Sequence, residues 1–219
     1  IGSGLVGSEM CIRDRYWNSI SQDMADRFVR EHLLNPEEFW TKIPLPSVAV
    51  NDSLFRNVTT NNWSGQAEAL TYQRAILALE NYGYEWIQPL LGRKLFEAIG
   101  ENCIFVQQYD PFTGKPSAVS LEGEQDAYGP AMLSVMEYAA RMYGVHREHN
   151  LLYWGCCHGT ECSYEQYFGE NRYLLKNTGN SAEAYLNGKK VFTTDKNARV
   201  ITDLSGQLIA VRSFDVPKC

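Results

Sequence analysis

The pattern of hydrophobic residues changes once along this 219-residue chain, near His149, and that change does most to limit the fold. Before it, apolar residues recur at helical spacing. Residues 18–34 carry Ile20, Met24 and Phe28 at i, i+4 and i+8, with charged residues between them, and Asn35-Pro36 stops the pattern. Residues 65–82 read as a second helix, apolar on more than one face and therefore buried on most sides, with Gly83 as its C-terminal cap. Residues 84–99 read as a third, kinked or broken by Pro89 and Gly92 and ended by Gly100. An extended piece at Ile104-Phe105-Val106 and a turn at Asp110-Pro111-Phe112-Thr113-Gly114 lead to a helix over 130–143. After His149 come short β-rich runs at Arg172–Leu175, Ala184–Phe192, Arg199–Thr202 and Leu208–Phe214. The pair Asn187-Gly188 between Glu183–Leu186 and Lys189–Thr193 marks a hairpin. Helices followed by strands predict a mainly α part over 16–149 and a small antiparallel β module over 150–219.

The first fifteen residues are set apart. Leu5-Val6-Gly7-Ser8-Glu9-Met10-Cys11-Ile12-Arg13-Asp14 resembles a translated sequencing-library adapter, so residues 1–15 are left out of fold reasoning. On this reading the native frame begins near Tyr16, inside a longer protein whose upstream residues, any signal peptide among them, are missing; cytoplasmic, periplasmic and secreted locations all stay open.

Composition excludes more than it selects. Twenty Lys and Arg against 26 Asp and Glu leave a net charge of −6, and no basic stretch suits nucleic acid. No apolar run reaches the length of a membrane-spanning helix, so no membrane partner is expected. Thirteen Tyr and five Trp suit sugar stacking and a large core equally. Setting Cys11 aside leaves Cys103, Cys156, Cys157, Cys162 and Cys219, an odd set that makes no disulfide framework. The cluster Cys156-Cys157-His158 with Cys162 has four sulfur or nitrogen ligands in number but not the spacing of common zinc sites, so no metal and no cofactor are expected.

Three segments carry a resemblance when taken in order. They are Glu38-Phe39-Trp40 with Leu45-Pro46-Ser47, then Asn62-Trp63-Ser64-Gly65-Gln66 with Glu80-Asn81-Tyr82-Gly83, then Tyr109-Asp110-Pro111-Phe112-Thr113-Gly114. Together, across residues 36–144, they resemble the C-terminal half of six-hairpin toroid glycosidases of the trehalase, processing α-glucosidase (glycoside hydrolase family 63) and mannosylglycerate-hydrolase-like group. The resemblance implies part of an (α/α)6 toroid with a carbohydrate substrate at its mouth, followed by the β module. It implies an inverting hydrolase whose general acid is an Asp upstream of this chain, so the chain alone is expected to be inactive. Inversion needs a second carboxylate to activate water, roughly 6.5–9.5 Å from the acid.

At the position where the resembled enzymes carry that general base, this sequence has Gln107. An amide cannot take up a proton as a carboxylate does, and general-base help is worth about 10²–10⁴-fold. Three explanations stay open: the base has moved to Glu68, Glu122 or Glu124; Gln107 positions a water that another group deprotonates; or the protein binds sugar without cleaving it. Trp63, Gln66, Tyr109 and Asp110 are the candidate substrate contacts. Each has a plainer reading as well. Glu68 favours a helix N-terminus, Glu122 and Glu124 are solvated loop carboxylates, Trp63 is core packing, and Asp110 starts a turn. A catalytically silent carbohydrate-binding relative is the second hypothesis, and a thiol or metal module centred on Cys156–Cys162 the third. Oligomeric state is not legible.

Overall fold

A computed structural model describes residues 18–60, 63–117, 127–156, 161–178, 180–195 and 197–214. Four α-helices and ten strands are found among them, and the chain forms two compact units. Strand is nearly as plentiful as helix, so "mainly α" is corrected to a nearly equal mixture.

One unit comprises residues 1–84 and 90–135. Its first helix, α1 (Gln22–Phe28), starts where the Ser21 hydroxyl accepts the Met24 amide, and runs on into one wider π-helical turn, Val29–Leu33. The chain stops there because the Asn35 carbonyl takes the amides of Glu38, Phe39 and Trp40. The strand β1 (Ala67–Glu68) precedes α2 (Ala69–Asn81), and α3 (Gln88–Asn102) precedes β2 (Gln108–Tyr109). The second helix therefore begins at Ala69, not at residue 65. Gly65 and Gln66 form a turn and a bend, and Ala67–Glu68 are extended because they pair with other chain segments before the helix can start. Nor does Pro89 break the third helix. It stands in the first turn, where an amide proton has no intrahelical partner to lose. The helix also passes Gly100 and closes at Asn102, whose side-chain amide donates to the Ala98 carbonyl at 2.6 Å. The extended piece expected at 104–106 is not a strand; the strand forms further on, as β2. Phe28, Leu33, Leu45, Ala75, Leu79 and Leu91 meet around the apolar centre of this unit.

The other unit comprises residues 85–89 and 136–219. The helix α4 (Gly129–Tyr143) runs out of the first unit's residues into this one, and eight strands follow: β3 (Val145–Glu148), β4 (Leu151–Cys156), β5 (Cys162–Phe168), β6 (Asn171–Asn177), β7 (Ser181–Leu186), β8 (Lys189–Asp195), β9 (Ala198–Asp203) and β10 (Leu208–Ser213). They make two antiparallel four-stranded sheets, ordered β10-β9-β4-β3 and β5-β6-β7-β8. Val145, Leu152, Trp154 and Val200 of the first sheet share one core with Tyr173, Leu175, Ala182 and Ala184 of the second, which makes a β-sandwich. The hairpin at Asn187-Gly188 forms as read, with φ of 51° and 81° at the two turn residues, a conformation glycine takes without strain.

Candidate functional site

The candidate residues lie in the helical unit, where three distant segments cross. Pro46 bridges to Ala67, Ala67 pairs with Tyr109, and Tyr109 bridges to Pro116. Two further bonds fasten the first segment to the second: the Ser47 amide donates to the Gln66 carbonyl at 3.0 Å, and the Ser47 hydroxyl to the Trp63 carbonyl at 2.6 Å. The Arg56 amide donates to the Ser64 carbonyl at 2.7 Å. Gly65 permits this approach, since a Cβ there would overlap the Arg56 carbonyl. The three motifs that are far apart in sequence therefore meet in space.

A side-chain relay runs through the crossing. Asp110 accepts from Asn57 Nδ2 at 2.9 Å, Gln66 Nε2 donates to Asn57 Oδ1, and Ser117 Oγ donates to Gln66 Oε1. Gln66 and Ser117 are buried, whereas Asn57 is exposed. Asp110 also anchors its own turn. Its Oδ1 accepts the amides of Phe112 at 2.9 Å and Thr113 at 2.8 Å. Partial burial pushes the Asp110 carboxyl pKa up, but the bonds from Thr113, Asn57 and Phe112 outweigh it, and the net shift is downward. Sequence reasoning misses Asn57 and Ser117. Asn57 sits in a glycosylation-like triplet, too common to mean anything, and the only available signal is its place between two of the motifs.

Glu68 is fully buried, and its Oε2 accepts the Thr71 amide at 3.0 Å, which caps α2. Directly opposite it stands Gln108, also buried, whose side-chain amide has no hydrogen-bond partner among the described residues. Gln107 is half-buried, and its carbonyl accepts the Ala69 amide at 2.9 Å, so it is tied by its backbone to the start of α2. Tyr109 is buried. Its hydroxyl takes the Val106 amide at 3.3 Å and donates to the Ile104 carbonyl at 3.4 Å, and burial pushes its pKa up. Trp63 is 48% exposed. Trp40 is half-buried, with Lys94 Nζ 5.6 Å from the centre of its ring. Glu122 and Glu124 lie outside the described residues, as do Asn62, Cys157 and His158. Cys162 is a free thiol at the start of β5, and burial raises its pKa. The crossing thus brings Trp63, Gln66, Glu68, Gln107, Tyr109 and Asp110 into one region of the chain.

No protein-family model and no curated protein matches the chain. Among solved structures, one described as a sialidase matches 90% of this chain and 20% of its own length, with 10% identity and a TM-score of 0.66. The likeness is one of fold. The family 63 mannosylglycerate hydrolase of Thermus thermophilus, solved with Tris, matches 59% of this chain and 29% of its own, with 18% identity and a TM-score of 0.49. The same enzyme solved with glucose matches 60% and 28%, with 17% identity and a TM-score of 0.47. This chain therefore spans less than a third of each of these structures.

Proposed function

We propose that the chain is part of a larger carbohydrate-active enzyme, an inverting glycoside hydrolase whose helical part belongs to an (α/α)6 toroid. The observation that carries this reading is the crossing itself: the three segments whose motifs resemble toroid glycosidases fold against one another, and exposed Trp63 and half-buried Gln107 lie on them. In this proposal the sugar ring stacks on Trp63, and Gln107 donates a hydrogen bond to a substrate hydroxyl or the attacking water. Glu68 is committed to the helix cap and acts as a positioning residue for the Gln107 backbone through Ala69. The water-activating carboxylate is Glu122 or Glu124, and the general acid comes from the missing upstream segment.

The test uses the longer protein with its upstream segment restored. Glu122→Gln or Glu124→Gln lowers kcat by about 10²–10⁴-fold, and Gln107→Glu lowers it too, since it puts a new negative charge into a site that already has its base. If neither glutamine variant loses activity, the assignment of the base is wrong. A second reading is favoured by the amide at position 107: the protein binds saccharide and does not cleave it. A large gain of hydrolysis in Gln107→Glu identifies that case.

A further inference from the structure

The β5-β6 and β7-β8 hairpins of the β5-β6-β7-β8 sheet carry the same constellation on the face turned away from the sandwich core. In the first hairpin, Tyr167 stands directly opposite Arg172. The carboxylate two residues earlier serves both: Glu165 Oε1 accepts the Tyr167 hydroxyl at 3.1 Å and Oε2 accepts Arg172 Nη2 at 2.6 Å. In the second hairpin, Tyr185 stands directly opposite Lys190. Glu183 Oε2 accepts the Tyr185 hydroxyl at 2.7 Å and Oε1 accepts Lys190 Nζ at 2.6 Å. The spacing is the same in sequence, Glu-x-Tyr followed by a cation seven residues after the glutamate. Strand alternation puts both groups outward, because Phe168, Ala182 and Ala184 on the same strands face the core.

We propose that this face is a binding platform for a neutral oligosaccharide chain, with Tyr167 and Tyr185 as stacking rings and the two Glu–cation pairs as hydroxyl-bonding groups. Several observations favour that occupant. Tyr167 is 60% exposed, although an aromatic ring normally gains by being covered. Each ring is oriented by its bond to a carboxylate that an ion pair holds in place, so little side-chain freedom is lost on binding. Carboxylate and cation cancel within each constellation, so the five charged groups of this face leave only the single positive charge of Lys176, little to hold a polyanion. A ring of charges around each tyrosine is also unlike the charge-depleted centre of a protein interface. The two tyrosines lie two strands apart and, through Leu174, which pairs with both Glu165 and Tyr185, two residues apart along the strands. From strand geometry that is a separation of about 11–12 Å, a span for a short run of sugar units. Lys176 Nζ, 5.4 Å from the Tyr185 ring, adds a donor between them.

This inference does not depend on the catalytic reading, and the chain as it stands tests it. The 15N-labelled protein is titrated with maltohexaose, cellohexaose, mannohexaose and xylohexaose, and backbone amide shifts are followed. At least one hexasaccharide is expected to shift amides of β5 to β8, with Kd raised at least tenfold in Tyr167→Ala and in Tyr185→Ala and raised less in Tyr167→Phe, which keeps the ring but loses the bond that orients it. Tyr167 is exposed enough for its removal to leave the fold intact, so Tyr167→Ala decides alone if Tyr185→Ala unfolds. The proposal is overturned if none of the four shifts these strands, if binding survives in Tyr167→Ala, or if only a polyanion such as heparin binds and is released by salt. It is equally overturned if sedimentation shows a dimer that Tyr167→Ala dissociates, since the face is then a contact between two copies.

Discussion

Glu68 ends a strand and starts a helix, and its side chain is spent on the second task. With Oε2 on the Thr71 amide, the carboxylate satisfies one of the donors left open at the first turn of α2. Glu68→Ala is expected to destabilise the chain by about 1–2 kcal/mol, measured by urea unfolding. Asp110 is the comparable residue in the third motif. Its folded-state pKa is lowered, so its contribution to stability is complete above the ordinary carboxylate range and is lost as pH falls through the folded value. Asp110→Asn should therefore lower the urea midpoint at pH near 7, and the gap between variant and wild type should shrink once pH falls below about 4. A gap that stays constant with pH would show that the Asp110 charge contributes nothing. Both residues are visible in the sequence as candidates. Their hydrogen-bond commitments are not, because the partners, Thr71 for one and Asn57 for the other, are ordinary polar residues with no motif of their own.

At the scale of elements, periodicity serves where one face is buried and fails where the chain does something local. The Asn187-Gly188 hairpin and the strands β6 to β10 are legible from β-rich runs between turn residues. The strands β3, β4 and β5 are not. β3 precedes the expected change at His149, β4 and β5 flank the cluster whose cysteines and histidine invite a metal reading, and Gly155 breaks the β-rich pattern of β4 at a place where a Cβ would overlap the Arg141 carbonyl. The start of α2 is misplaced by four residues because β1 is only two residues long and its pairing with β2 cannot be seen in one segment alone. The core of the sandwich centres on Trp154, which is fully buried, stacks edge-on to Phe192 at 5.5 Å and donates to Thr202 Oγ1 at 3.0 Å. Trp154→Ala is expected to cost about 3–5 kcal/mol, read from the unfolding of the β unit by its near-ultraviolet circular dichroism. A loss under about 1 kcal/mol would contradict its place at the centre of that core.

At the scale of the molecule, the chain divides into a helical unit that holds the motif crossing and a β-sandwich whose outer sheet face carries the paired tyrosine constellations. The first is partly legible because its motifs are specific when taken in order. The second is not, since a Glu-x-Tyr repeat gains meaning only once strand pairing sets each tyrosine opposite a cation. Among the described residues no helix is long and apolar enough to cross a membrane. The proposed reaction is glycoside hydrolysis with inversion. Its most direct test incubates the protein, upstream segment restored, with a panel of α- and β-linked disaccharides and glycosides, and follows the first released sugar by proton NMR. One substrate is expected to be cleaved, with the new hemiacetal in the anomeric configuration opposite to that of the bond broken. Release with retained configuration, or no release from any member of the panel, would contradict it.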